Sequence, residues 1–432
     1  MEVSPFRGIC YNQRIVGDLA RVLCPPYDVI TSEQQNLYYE KSSYNAIRLE
    51  FPKPRGDSPD YAGAAVTFKQ WLEHGVLQLD SVSSFYLHDH HFEYSGEKRV
   101  RRGLIARVKL EPWGSGIYPH EETFSKAKSD RLQLMRACRA NFSPLLSLYD
   151  DSERRIGGIL SEASRVESVI ETSVLTPLVE GGQDEGGEAH ILWAITDPEI
   201  KRQLRQFLSS RTFYIADGHH RYETALTYQQ ERARGQSLTG EEAFQYVMME
   251  LVDFSDPGLV IFPIYRLVRG IAPSILEGLE EQLGNLFVLE SVPQKASRYQ
   301  LPPDGWLGIL GLQPGTLVVL KQRRTDSSGI SFEAMMPGNR SRAYKELDVS
   351  ILNHIILDEM LGLTSKEDIA YTVDVEEAYQ QIKERKYQLA FLLKPPPPER
   401  VKAVADARDR MPGKSTYFYP KLPAGLVINL LD

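Results

Sequence analysis

Cysteine is scarce in this chain of 432 residues: Cys10, Cys24 and Cys138 are the only three, and no two form a C-x-x-C pair. That excludes a disulfide framework and a cysteine-rich zinc site, and it fits a reducing compartment. Long apolar runs are missing too. The stretch LVIFPIY (259–265) is among the longest, far short of the roughly 18 residues a membrane-spanning helix needs. The opening MEVSPFRGIC has an acidic second residue and no apolar core, so no secretory signal is expected. There is no excess of cations either: 50 Lys and Arg face 58 Asp and Glu, a net charge of −8. Nucleic-acid surfaces work by placing many cations on phosphates, so DNA or RNA is not the expected partner. No segment of about 20–50 residues recurs, which excludes solenoids and propellers. The expectation is a cytoplasmic protein with no membrane partner.

The composition that remains is ordinary for a globular protein, 42% hydrophobic and 25% charged. At about 150 residues per domain the length predicts two or three domains. Turn-rich or Pro-rich breaks fall at FPKPRGDSPDYAG (51–63), EGGQDEGGE (180–188), LPPDGW (301–306) and KPPPPERV (394–401). Between them strand and helix patterns alternate. Residues 64–79 read as a helix, 83–94 and 98–110 as a hairpin around Ser95-Gly96, and 126–140 as a helix. Strands follow at 190–196 and 212–216, with helices opened by Pro198 and running over 219–235. Further on, strands at 315–323 and 387–394 and helices at 349–363 and 375–386 are expected. The fold class is α/β (α+β), with a boundary near 255 that divides 1–255 from 256–432.

The densest chemistry is TFYIADGHHRYETA (212–225), a strand, a glycine turn and a helix. A helix start offers unpaired N–H groups and the positive end of its dipole, which together favour an anion. Arg221 adds a planar fork suited to phosphate oxygens, and His219 and His220 add donors. Asp217, at the strand's carboxyl end, can hold Mg²⁺ or orient a hydroxyl, or it can serve only as a helix cap. A zinc site at Asp217, His219 and His220 is the poorer fit, because adjacent histidines on a helix point apart.

A second block, YPHEETFSKAKSDR (118–131), offers Glu121 or Glu122 as a general base or metal ligand and Lys128 and Arg131 as phosphate contacts. The same residues also suit an exposed helix start. KSTYFYPK (414–421) reads as a strand with Ser415, Tyr417 and Tyr419 on one face and Lys414 and Lys421 as further cations. CPPYD (24–28) is either a rigid loop near substrate or a turn. His88, Asp89, His90, His91 and Glu93 suggest metal ligands, but strand alternation divides them between two faces and nothing completes the set, so a solvated or half-buried face is expected. Arg99, Arg101 and Arg102 are expected to pair across the hairpin with Glu93 and Glu97.

These blocks, in this order, resemble a bacterial and archaeal family of conserved proteins left as a domain of unknown function and often labelled SpoOJ/ParA/ParB/repB-like. The resemblance rests on LCPPYDVI (23–30), NAIRLE (45–50), residues 118–151, FYIADGHHRYETAL (213–226) and the tail 411–432. The DGHHR turn is similar to that of the ParB/sulfiredoxin superfamily and, within it, the free-serine kinases. That resemblance implies a ParB/sulfiredoxin-like nucleotide-binding core with an N-terminal extension and a C-terminal α/β domain. It implies that Gly218, His220, Arg221 and Thr224 hold ATP or ADP, with Lys128, Arg131, Lys414 and Lys421 as further phosphate contacts. Glu121 would be the catalytic base, with Asp217 and His219 beside it, and Asp217 and Glu122 would hold Mg²⁺. Where the family often has Pro-Thr-His-Arg this chain has Pro263-Ile264-Tyr265-Arg266, so no histidine role carries over there. The implied function is nucleotide-dependent phosphoryl transfer to a small hydroxyl amino acid, free L-serine being the best guess. The alternatives are a nucleotide-operated regulatory switch and, against the net charge, a DNA-binding partition protein.

Overall fold

The hairpin expected around Ser95-Gly96 anchors the largest sheet. Both turn residues have positive φ, 54° and 75°, the twist that suits a two-residue hairpin turn. The computed structural model describes residues 1–122, 125–174, 187–235, 237–293, 301–322, 335–363 and 365–432. Most of the acidic Gly-rich stretch, 180–186, and Arg323 lie outside these. The chain forms two units: residues 1–119, 123–260 and 420–432 make the first, and 120–122 with 261–419 the second.

In the first unit nine strands form one mixed sheet: β1 (Val3–Ser4), β2 (Phe85–Tyr94), β3 (Glu97–Lys109), β4 (Ile117–Pro119), β5 (Leu145–Tyr149), β6 (Ile170–Val174), β7 (Glu188–Ile195), β8 (Phe213–Asp217) and β9 (Tyr246–Asp253). The order is β6-β7-β2-β3-β9-β5-β8-β4, with β1 also on β3. Only β9/β5 and β8/β4 are parallel. Alternation sends Leu87, Leu104, Ala106, Trp193, Met249 and Leu251 to one face. There they meet α2 (Ser125–Cys138) through Met135, α3 (Arg155–Ala163) through Ile156 and Leu160, α4 (Pro198–Ser209) through Leu204 and Leu208, and α5 (His219–Ala233) through Tyr222 and Ala225. Tyr86, Ile105, Leu192 and Met248 take the other face against Phe68 and Trp71 of α1 (Tyr61–Glu73). Asp197 caps α4 by accepting from the amides of Glu199 and Ile200, both at 2.9 Å, with Pro198 at the first helical position.

The second unit carries a six-stranded, all-antiparallel sheet: β10 (Tyr265–Val268), β11 (Phe287–Pro293), β12 (Leu307–Leu310), β13 (Thr316–Gln322), β14 (Ile369–Thr372) and β15 (Leu389–Leu393), in the order β11-β13-β12-β15-β10-β14. Val375 and Ala378 of α6 (Val375–Lys383) pack on its Leu267, Leu310 and Leu392. The class is therefore a mixed α/β fold. No helix among the described residues is long and apolar enough to cross a membrane.

Several sequence expectations are corrected. The helix expected over 64–79 ends at Glu73, because Gly75 turns the chain at φ 70°, and Leu77–Leu79 is a strand. The helix expected over 349–363 is a short turn, Asp348–Ile351, widening into a π-helix over Leu352–Met360 in which Ile355, Ile356 and Leu357 are all buried. The tail strand is only Tyr417–Tyr419; Lys414 sits at φ 61°, and Ser415 turns back to donate to the Pro412 carbonyl. Of the three arginines on β3, Arg102 pairs with Asp89 rather than a glutamate, at 2.6 and 2.7 Å, and Arg101 is wholly buried. The histidine face of β2 is not solvated: His88 and His90 are 0% exposed.

Close packing of the hairpin makes two glycines informative. A Cβ on Gly258 would stand 2.4 Å from the Arg101 nitrogen and the Val100 oxygen, whereas one on Gly158, inside α3, meets nothing within 4 Å. Gly258→Ala is expected to lower stability by about 1–3 kcal/mol. Gly158→Ala is expected to raise it by about 0.5–1 kcal/mol. Urea midpoints of the two variants check this.

Candidate functional site

Strand β8 delivers Asp217 at its carboxyl end, and Gly218 makes the turn at φ 94°. Only glycine adopts that conformation readily, and space forbids more: a Cβ there would lie 3.0 Å from an Arg221 nitrogen and from Leu145. Having no side chain, Gly218 gives α5 no side-chain cap. A helix start of this kind favours an anion.

Asp217 gathers cations. Its Oδ1 accepts from Lys421 Nζ at 2.6 Å and its Oδ2 from Arg221 at 3.1 Å. Burial pushes the Asp217 carboxyl up, but Lys421 and Arg221, with His219 beside them, outweigh it and hold it well below the usual carboxylate range. Arg221 is fixed on its other side by Ser143 Oγ at 2.9 Å and the Pro144 carbonyl at 3.0 Å. His219 is buried at the helix start and His220 is half-buried. Beneath Arg221 lies a cavity of about 40 Å³ lined by Glu50, Arg131, Asn141 and Ser143, room for water and not for a nucleotide.

Other expected contacts are spent on packing. Lys128 ties α2 to α5 by donating to Glu223 at 2.8 Å. Arg131 is buried, donates to Asp130 and to the Glu50 carbonyl at 2.6 and 2.7 Å, and lies 3.9 Å over the Tyr27 ring. Thr224 is buried, and its hydroxyl donates to the His220 carbonyl at 2.8 Å. In this structure these three brace the packing around Arg221.

Glu121, Glu122 and Lys414 belong to the second unit. There the 120–122 segment is stitched to the tail. The Met411 amide donates to the His120 carbonyl at 2.7 Å. His120 Nε2 lies 2.8 Å from Thr416 Oγ1. Lys414 meets Glu121 through its backbone, its amide donating to Oε1 at 2.7 Å. Glu122 accepts from Arg340 at 2.9 Å. Arg266, from the Pro-Ile-Tyr-Arg block, is buried and donates to the Lys414 carbonyl at 2.9 Å. Burial brings its guanidinium down to about 10, against the opposing pull of Tyr371 and Glu121.

Asp217 and Glu122 do not fit magnesium as placed. Each Asp217 oxygen already meets a cation, and Glu122 is engaged by Arg340 in the other unit. No step below is routed through that ion.

Sequence reasoning gave no role to Glu50, Ser143 or Pro144. Glu50 is buried and accepts from Ser143 Oγ at 3.3 Å; burial pushes its carboxyl up while Arg131 and Arg221 pull it down. All three residues stand in blocks quoted above, NAIRLE and 118–151, but nothing local to them names their partners. The CPPYD loop does reach this region, since Tyr27 underlies Arg131.

The ion pairs of Asp217 have a measurable consequence. A carboxylate whose folded pKa is depressed contributes stability that is full above its unfolded pKa, about 3.9, and is lost as pH falls toward the folded value. Lys421→Met removes one cation and raises the folded pKa. The variant is expected to lose about 1–3 kcal/mol near neutral pH and to show a shallower fall in stability below about pH 4 than the parent. Urea midpoints across that range check the sign.

Comparison with known proteins places the chain. It belongs to the family described as "Protein of unknown function (DUF1015)", which matches residues 3–350. No curated protein matches it. Among solved structures it is similar to a free serine kinase in complex with AMP, at 11% identity, a TM-score of 0.36, and coverage of 76% of this chain and 91% of that one. A conserved hypothetical protein from Pyrococcus furiosus shows 14% identity, a TM-score of 0.35 and coverage of 76% and 95%. SbnI with a C-terminal truncation from Staphylococcus aureus shows 10%, 0.34, and 76% and 87%.

Proposed function

We propose that this chain is a nucleotide-dependent phosphotransferase with ATP or ADP as donor and a small hydroxyl amino acid, free L-serine first, as acceptor. The observation that carries the reading is the Asp217 cluster: two cations, Arg221 and Lys421, fixed by one carboxylate at the glycine-capped start of α5. Fixed cations and a helix start are what phosphate oxygens need. Phosphoryl transfer asks the protein mainly for positioning and for charge stabilisation of the transferring group. Arg221, Lys421, His219 and His220 supply that charge in this reading. Glu121 is the proposed base. Its Oε1 is oriented by the Lys414 amide, and it accepts the hydroxyl proton of the acceptor. Lys414 therefore acts on Glu121 through its backbone, and its ammonium group is not required.

The test uses the purified full chain with ATP or ADP and a panel of amino acids. Phosphoserine formation is expected. Glu121→Gln should lower turnover at least about 100-fold and leave nucleotide affinity within about twofold, because the base does not hold the nucleotide. Lys421→Ala should weaken nucleotide binding about tenfold. Absence of a phosphorylated product with every hydroxyl amino acid overturns the reading. Tight nucleotide binding without turnover would instead mark a nucleotide-operated switch.

A further inference from the structure

Four neighbouring strands of the large sheet, β7, β2, β3 and β9, share a buried polar patch outside the Asp217 cluster. His88 and His90 lie on one face of β2, and His190 of β7 is the Cα partner of His90. All three side chains are 0% exposed. One nitrogen from each ring lies within 4.8 Å of one nitrogen from each of the others. His88 Nε2 and His190 Nδ1 stand 3.1 Å apart. Two imidazole nitrogens on one tetrahedral ion, each bonded at about 2.0–2.1 Å, sit at a separation of about 3.3 Å.

The outer partners are those that orient metal-binding histidines. His88 Nδ1 lies 2.9 Å from Glu250 Oε2, and His90 Nε2 lies 2.8 Å from Glu188 Oε2. Both carboxylates are buried. A ring that donates its N–H to a carboxylate turns its other nitrogen outward as a lone pair. Gly103, the Cα partner of His88, makes this possible: a Cβ there would stand 2.4 Å from Glu250 Oε1.

The protein does not close this network by itself. His190 Nε2, Glu250 Oε1 and Arg101 Nε are buried without a hydrogen-bond partner. Each such atom costs about 1–3 kcal/mol when left unpaired. Two buried carboxyl groups, Glu188 and Glu250, share the patch with the single guanidinium of Arg101, whose Nε lies 4.0 Å from Glu250 Oε1. Arg101 also lies 3.3 Å from His90 Nδ1 and donates to the Pro420 carbonyl at 2.7 Å. It can surrender the first contact and keep the second.

We infer that His88, His90 and His190 bind one divalent transition metal, zinc by the chemistry of three imidazoles with a vacant fourth position. His88 coordinates through Nε2, and His90 and His190 through Nδ1. Glu250 and Glu188 are positioning residues that hold His88 and His90 from behind. The inference is independent of the phosphotransferase reading.

The experiment uses the untagged full-length chain, produced in zinc-supplemented medium and in medium with Co²⁺ in place of zinc. One metal per chain by elemental analysis is expected, with the ligand-field absorption of tetrahedral nitrogen-bound Co²⁺. His190→Ala should lower occupancy at least about tenfold and Glu250→Gln should lower affinity about 10–100-fold. His74→Ala, an exposed histidine outside the patch, should change neither. A wild-type chain that is folded by circular dichroism yet metal-free and without the cobalt spectrum overturns the site. Metal retained at full occupancy in His190→Ala overturns it as well. If that variant does not fold, the wild-type cobalt spectrum alone decides.

Discussion

The Asp217 carboxylate is the constraint on which the start of α5 in the first unit depends. It closes strand β8, precedes the only residue type that can make the next turn readily, and fastens two cations, one four residues on and one 204 residues on. Remove it, and Arg221 and Lys421 become two like charges in a buried place without the carboxylate between them. Keep it, and their donors are aimed before any ligand arrives. Preorganised charge of this kind is worth more than the same charge on mobile surface side chains, because no reorganisation is needed at the moment of binding. The acidic residue thus arranges the cations around it.

The sheet supplies the second organising rule. Because successive residues on a strand point to opposite faces, β2 splits its polar run cleanly. Asp89 goes to the edge of one face, where Arg102 meets it, while His88 and His90 go under the other. A buried face that polar must be completed by its neighbours. β3, β7 and β9 answer with Arg101, Glu188, His190 and Glu250. The apolar clusters on the two faces, by contrast, are filled with Leu, Ile, Val and aromatic residues in the usual way. The contrast marks the histidine patch as something other than core.

How much of this the sequence discloses depends on distance along the chain. Patterns that close locally are legible: the Ser95-Gly96 hairpin, the Asp197-Pro198 helix start, and the strand–turn–helix at 213–219 all appear where their residues predict. Completions from afar are not. Nothing near Asp217 announces Lys421, 204 residues away, and nothing near His88 announces His190, 102 residues away. Nor can a motif show which donors are already committed. Lys128, Arg131 and Thr224 have the right chemistry for phosphate, and only the fold shows that they also donate to Glu223, the Glu50 carbonyl and the His220 carbonyl. The assignment of residues 120–122 to the second unit, in the midst of a stretch that otherwise belongs to the first, has no local signal at all.

The path of the chain sets a timetable for synthesis. The first unit is left at residue 260 and rejoined only at Pro420, so a ribosome must add the whole intervening segment before Lys421 exists. At typical elongation rates that interval is on the order of ten seconds. Throughout it the nascent first unit holds Asp217 and Arg221 without their third member, and the face that residues 426–428 later cover is bare. Any truncation before Pro420 would freeze the chain in that state. Such a product could have all nine strands of the large sheet and still leave Asp217 without Lys421.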